Sequence, residues 1–507
     1  MRLQSTKRII DFLAFHVLPD RSSSSHALTK IAQNAKRPKN QFIGTHSAKR
    51  DFTVAEIKKE VVAAASPMPE HWLPMSNLDL LMSAHWLPGV FLCYKKTPQL
   101  DNSFTFASMS AVLKRALAQV LVSFYPFSGE IVNNTLGEPE LLCNNRGVDF
   151  IEAFADVELC DLDLYNPDES IEGKLVPQKK HGVLCVQVTE FKCGGLMVAC
   201  TFDHRVADGY SFYMFLVSWA ETARLIPLSL RPSFRRSLLN PRRPGLYSSS
   251  LNHLYIPIST LPPAPEPQHC SADDIISHIY YISTDQLIRL QLLASRGGTR
   301  KTKFEAFCAF LWKLVATGVT EEGQFCKLGI VVDGRMRLSQ GEIDKSKLFS
   351  SYFGNVLSIP YGEKPVRVLT NQPLHLTADS VHAFLESALT KDHFLDLVDL
   401  VEARRPEPLL ARVYAGGEDG PNGPALVVSS GQLFALSEVE FGWGKPVFGS
   451  NHFPWGGKAG YVMPMPSPLG NGDWVVYMHM MKGQVELIER EAGDVFKPLT
   501  FEYLNGN

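Results

Sequence analysis

The spacing of apolar and polar positions changes character most sharply near residue 204. Residues 196–201 are apolar, β-branched or small, which suits a buried strand. A Lys192-Cys193-Gly194-Gly195 turn joins them to an earlier apolar run, 182–191, so the two read as a hairpin. After Gly209 the period becomes helical, and Tyr210, Phe212, Tyr213, Phe215, Leu216, Val217 and Trp219 predict a densely apolar helix of about four turns ending at Arg224. His204 thus falls where a core strand ends and a buried helix begins, a place where rigid neighbours hold a polar side chain still.

The same reading extends along the chain. Residues 53–62 mix strand-forming and charged positions, and Pro67, Pro69 and Pro74 break the run. Ser76-Asn77-Leu78-Asp79 opens a segment leading to a strand at 89–95. Helical spacing over 106–124 ends at Pro126, and turn residues bracket short strands around Ile131 and Leu141-Leu142-Cys143. Residues 225–270 are rich in Pro, Ser and Arg without sustained periodicity, which marks a crossover linker. Arg231, Arg235, Arg236, Arg242 and Arg243 read there as solvated linker charges rather than an anion site. Beyond it, 275–282 reads as a strand and 286–294 as a helix closed by Gly297-Gly298. Thr302-Lys303-Phe304-Glu305 has the form of a capping box ahead of an apolar helix at 304–315, and a strand at 328–332 is closed by Asp333-Gly334-Arg335. The domains expected are an N-terminal extension at 1–50, an α/β domain at 51–224, the linker at 225–270 and a second α/β domain at 271–507.

Composition narrows the function. A formal net charge of -2 offers no field for nucleic acid or an anionic membrane. The nine cysteines are scattered, with no Cys-x-x-Cys and no Cys/His pairing at metal-ligand spacing, which predicts a reducing compartment, no disulfide framework and no metal. No apolar run approaches the length of a membrane span, so no membrane association is expected. Residues 1–50 carry ten Lys or Arg against two acids and a Ser22-Ser23-Ser24-Ser25 run, like an organelle transit peptide; the plainer expectation is a disordered extension.

The candidate chemistry is selected by context rather than by spacing. Four His-x-x-x-Asp pairs occur, His16/Asp20, His204/Asp208, His269/Asp273 and His375/Asp379, of which only His204/Asp208 has a core strand before it and a glycine and buried helix after it. A neutral imidazole can take a proton near pH 7 without prior deprotonation, which makes His204 the general-base candidate. Cys200 raises a covalent alternative, but burial in an apolar strand raises a thiol pKa and silences it. Downstream, Gly442 and Gly444 on either side of Trp443 imply tight turns around a structural corner, since an indole exchanges no proton near neutral pH.

His204-Arg205-Val206-Ala207-Asp208-Gly209, followed far downstream by Phe441-Gly442-Trp443-Gly444-Lys445-Pro446, resembles the plant BAHD acyltransferase family. Tyr125-Pro126-Phe127-Ser128-Gly129, Asp333-Gly334-Arg335 and Phe353-Gly354-Asn355 support the resemblance, which covers roughly residues 60–500. It implies a monomeric two-domain α/β protein similar in fold to chloramphenicol acetyltransferase, with mixed sheets, flanking helices and a channel at the domain interface. It also implies transfer of an acyl group from a coenzyme A thioester, as co-substrate and not as a resident cofactor, to an alcohol or an amine. The matching Asp in that family points away from the channel, so the resemblance implies an Asp208–Arg335 ion pair that fixes the loop rather than a catalytic triad.

The chain departs from the family in two places. Glu440 stands where Asp is usual and keeps the charge, so its structural role is expected to persist. Val428-Ser429-Ser430-Gly431-Gln432 replaces a segment that in relatives often reads Thr-Ser-Trp and helps hold the oxyanion. Ser429 can still donate, with Asn355 as a further oxyanion or substrate contact, but Gly431 cannot replace an indole, so either another donor serves or the pocket is larger. The start of the capped helix at Thr302 and Lys303 is the expected seat for a coenzyme A phosphate. The leading function is O-acylation of a plant specialised metabolite in the cytoplasm, with an organelle as the location if residues 1–50 direct transit. The alternatives are N-acylation, a non-catalytic binder and a lyase or hydrolase on the same scaffold.

Overall fold

The computed structural model describes residues 52–96, 105–261, 275–296, 298–320, 323–415, 423–455 and 457–506. The expectations for residues 1–50, for His16/Asp20 and His269/Asp273, and for Gly297 lie outside the described residues. Residues 52–507 cluster as one compact unit built on two mixed sheets.

The first sheet has six strands in the order Val54–Val62, Val148–Ala155, Leu184–Phe191, Leu196–Phe202, Gly89–Tyr94 and Phe448–His452. Leu184–Phe191 and Leu196–Phe202 pair antiparallel as the hairpin read from the sequence, and every residue of the second is buried. A strand covered on both faces needs an unbroken apolar run, which this segment has. The second sheet runs Tyr361–Pro365, Phe325–Ile330, Ala425–Val428, Gly460–Pro466, Trp474–Met481, Ile275–Ile282 and Lys497–Pro498. Phe448–His452 belongs by sequence to the second half, yet it pairs antiparallel with Gly89–Tyr94 in the first sheet. The two halves are therefore bound by backbone hydrogen bonds as well as by side-chain contact.

Two helices support the junction at residue 204. Gly209–Ala223 buries Phe212, Phe215, Leu216 and Trp219, each side chain of this kind contributing about 1.5–3 kcal/mol. Phe106–Ser123 packs on it, and the Trp219 indole N–H donates to the Leu113 carbonyl at 3.0 Å. By length and composition Phe106–Ser123 meets the threshold of a membrane span, which corrects the expectation that no run approaches it; its buried Leu113, Leu117, Val120 and Leu121 make it a core helix here.

The stretch read as a crossover linker carries structure of its own. Leu251–Leu254 forms a helical turn, and Tyr255–Pro257 pairs antiparallel with Leu409–Ala411. Its arginines are not merely solvated: Arg242 pairs with Asp396 and Asp399, and Arg236 reaches the residues behind His204. Short segments of this kind have too few residues to show a period, so sequence pattern alone misses them.

Candidate active site

His204 lies between Leu196–Phe202 and Gly209–Ala223, with its ring partly buried and its backbone N–H donating to the Trp86 carbonyl at 3.1 Å. Ring Nδ1 stands 3.1 Å from Asn355 Oδ1. The Asn355 side-chain amide nitrogen donates to Asp79 Oδ1 and to the His204 carbonyl, each at 2.9 Å. Both of these partners are acceptors only, which fixes the amide orientation and leaves Oδ1 facing the ring. Nδ1 must then carry the proton, and the lone pair is left on Nε2. Behind Asn355, Asp79 also accepts from the Ser76 N–H and hydroxyl at 2.9 and 2.7 Å, and the Arg236 guanidinium stands 3.8 Å away. Burial of the His204 ring lowers its pKa below the ordinary imidazole value, against the opposing pull of hydrogen bonding and of Asp208. The ring is therefore neutral at pH 7 with its lone pair on a known nitrogen, the state a general base requires.

Asn355 was expected as an oxyanion or substrate contact, and the structure places it instead behind the imidazole, fully buried with both amide hydrogens engaged. It occupies the position that a triad reading would have given to Asp208. Asp208 turns the other way. Its carboxylate takes a two-pronged contact from Arg335, at 2.7 and 3.1 Å, accepts from the backbone N–H groups of Ser211 and Val356, and caps helix Gly209–Ala223. Arg335 also reaches Asp333 and the Gly354 carbonyl through its two terminal nitrogens, so it joins three segments behind the site.

Gly209 and Gly431 face one ring. A side chain at Gly209 would put its first carbon 2.4 Å from Phe434 Cζ, and one at Gly431 would lie 2.7 Å from Met465 Cγ and 3.0 Å from Phe434 Cδ2. Met465 and Phe434 thus stand against the place where a side chain at Gly431 would begin, which weighs, of the two alternatives left by that glycine, against a larger pocket. Ser429 lies beside Tyr461, whose phenol is pushed far up by burial against the opposing pull of Ser429 and stays protonated.

Aromatic rings surround the imidazole. Trp86, Phe202 and Phe453 have centroids 6.2, 6.3 and 6.5 Å from it, Tyr414 packs on Trp86 at 5.3 Å, and Tyr461 on Phe453 at 5.1 Å. Phe202 and Phe453 follow from the elements that end beside them, but Trp86 lies in an irregular segment and Tyr414 in the single 3-10 turn Arg412–Tyr414, both too short to carry a periodic signal. Cys200 is buried and its thiol is pushed far up by burial, so no thiolate nucleophile is available on that strand.

Two remaining expectations fall away from the imidazole. The Phe441-Gly442-Trp443-Gly444 stretch is a corner: Gly442 and Gly444 have φ of 115° and 109°, Phe441 and Trp443 pack on Tyr94, and Glu440 accepts from the N–H groups of Gly442 and Gly444 while pairing with Arg224. The longer acid thus serves a structural role. At Thr302 and Lys303, the expected phosphate seat, the capping box read from the sequence forms. The Thr302 N–H goes to Glu305 Oε2 at 2.7 Å and the Glu305 N–H to Thr302 Oγ1 at 3.1 Å, which sets a carboxylate beside the helix start.

The family model described as "Transferase family" matches residues 52–495. Shikimate O-hydroxycinnamoyltransferase of Nicotiana tabacum is 28% identical over 455 residues, covering 86% of this chain and 98% of its own. Hydroxycinnamoyl-CoA:5-hydroxyanthranilate N-hydroxycinnamoyltransferase HHT1 of Avena sativa is 28% identical over 444 residues, covering 83% and 95%. Among solved structures, F. graminearum TRI101 complexed with coenzyme A and deoxynivalenol superposes with a TM-score of 0.66 at 12% identity, covering 83% of this chain and 98% of that one. The two-sheet α/β architecture expected from the sequence is thereby borne out.

Proposed function

This chain belongs to the BAHD transferase family of acyl-CoA-dependent acyltransferases, and on that premise we propose that it transfers an aromatic acyl group from a coenzyme A thioester to the hydroxyl of a small plant metabolite, with His204 as general base. One observation carries the reading: Asn355 pins the imidazole tautomer, so the lone pair sits on Nε2 among Trp86, Phe202 and Phe453. The acceptor O–H gives its proton to Nε2 as its oxygen attacks the thioester carbonyl. The tetrahedral oxyanion collapses, the C–S bond breaks, and the imidazolium returns the proton to the departing thiolate. Ser429 supplies the oxyanion donor. An apolar, aromatic surround excludes water, which would otherwise hydrolyse the thioester, and it offers ring faces to an aromatic acyl group.

Amine acylation is the second reading, and the N-acyltransferase of Avena sativa among the relatives favours it. The enzyme is taken to act as a monomer in the cytoplasm. The eight described cysteines are all free thiols, which supports a reducing compartment.

Incubating the purified chain with aromatic and aliphatic acyl-CoA donors, each against a paired hydroxyl and amine acceptor, and following free CoA thiol tests this. Aromatic donors with the hydroxyl acceptor should turn over, and His204→Ala should lower kcat by roughly 10²–10⁴-fold. Preference for the amine would replace O- by N-acylation. Thiol release that is unaffected in His204→Ala would remove the base assignment.

A further inference from the structure

Away from the imidazole, Asp168, Glu172 and His452 bring one carboxylate oxygen each and one ring nitrogen to within 4.8 Å of one another, the one such three-ligand group among the described residues. His452 ends the strand Phe448–His452 of the first sheet, and Asp168 and Glu172 lie in and just after the turn Pro167–Ser170. His452 is only 3% exposed, yet neither ring nitrogen makes a hydrogen bond, and Nε2 stands 3.5 Å from Glu172 Oε2. Asp168 is held from behind: its Oδ2 accepts from the Ser277 N–H at 2.5 Å, while its buried Oδ1 is without a partner. A buried imidazole with both nitrogens unsatisfied, beside an unsatisfied carboxylate oxygen, is costly unless something fills the space between them.

We propose that this group is a binding site for a divalent transition metal ion, Zn²⁺ by preference, which ties the end of the first sheet to the second. Imidazole with two carboxylates suits Zn²⁺ or Mn²⁺ rather than Ca²⁺ or Mg²⁺, which take oxygen ligands alone. Two ligands of one tetrahedral Zn²⁺ ion lie about 3.4 Å apart, so the widest pair must close by up to about 1.4 Å. Glu172 is exposed and can supply that movement and the entry path. The other half of the Asp168 carboxylate is oriented by Ser277 on Ile275–Ile282, and the Ser277 hydroxyl stands 3.1 Å from the Tyr477 hydroxyl and 2.9 Å from His479 Nδ1, an outer layer of the kind that orients ligands. Metal here would join His452, Asp168 and, through Ser277, a strand of the second sheet. The inference does not depend on the acyl-transfer reading.

The test uses the full chain, stripped with a chelator and desalted. Zinc chloride is titrated against a competing chromogenic chelator, with manganese chloride as a parallel arm, and thermal unfolding is followed with and without each ion. The wild type should bind one equivalent more than Glu172→Gln or His452→Gln, or bind it at least roughly tenfold tighter, and its Tm should rise on adding the ion while theirs does not. Glu172 is exposed, so Glu172→Gln decides the matter if His452→Gln fails to fold. Preference for manganese at these residues supports the site with the harder ion. Equal uptake and equal Tm response in wild type and Glu172→Gln would assign the bound ion to other histidines and thiols and overturn the proposal.

Discussion

At the scale of single residues, the decisive feature is that Asn355 spends both amide hydrogens on acceptors, which forces its oxygen toward His204 Nδ1. It touches no reactant; it sets which nitrogen is basic. Asn355→Ala should therefore lower kcat by on the order of 10²-fold with little change in KM, the share expected of misdirected proton transfer. A kcat within about threefold of wild type would show that the ring keeps its tautomer unaided. The same neutral state fixes the pH profile. Burial lowers the His204 pKa, so kcat/KM should hold steady down to a pH below about 6.5, the ordinary imidazole value, and fall only as the ring charges beneath it. An acid limb centred at or above that value would contradict the desolvated ring.

Among the elements, the joint between the start of helix Gly209–Ala223 and the segments at 333–335 and 352–355 rests on buried charge. Asp208 is fully buried with Arg335 as its ionic partner, and removing one member of such a pair costs about 3–5 kcal/mol. Asp333 remains beside Arg335, so Asp208→Asn should lose about 3 kcal/mol in urea unfolding, at the lower end of the range. A loss below about 1 kcal/mol would put this joint in the class of surface pairs. Gly431→Ala places a carbon 2.7 Å from Met465 Cγ, and because a thioether chain yields readily the cost should be about 1 kcal/mol, read as a lower Tm.

These elements also show where sequence reading succeeds. The hairpin, the helix after Gly209 and the capping box were legible because each has a period or a local chemical signature of its own. Asn355 behind the ring, Phe434 against Gly209 and the pairing of Phe448–His452 with Gly89–Tyr94 were not, since they depend on contacts between residues more than a hundred positions apart. A missing indole reads in the sequence as a vacancy, but close packing lets neighbours fill it.

Over the whole molecule, net charge is small near neutrality, so its pH dependence rests on the groups that folding has perturbed. His393, on helix Lys391–Arg404, lies 2.8 Å from the Ser358 hydroxyl, and burial lowers its pKa to about 4. Burial also lowers those of His204 and of His278, which stacks on Tyr165 with centroids 4.1 Å apart. The unfolded chain takes up protons on these rings as pH falls through about 6.5, whereas folded His393 resists until about 4. The folded state thus has their full contribution above that upper value and loses it on acidification, by on the order of 3 kcal/mol for His393 alone, from a total of about 5–15 kcal/mol. A second loss begins as pH falls into the usual carboxylate range, because Arg405 holds Glu138 below its ordinary pKa: the unfolded acid takes up a proton there while the folded one resists, and the contribution is gone once the folded acid protonates. Urea unfolding at a series of pH values between about 7.5 and 4 should show stability falling throughout, and His393→Gln, which keeps a hydrogen-bonding group near Ser358 but cannot titrate, should flatten the slope by close to one proton. An unchanged slope in that variant would mean that solvent reaches the His393 ring freely and that other groups carry the acid sensitivity of the fold.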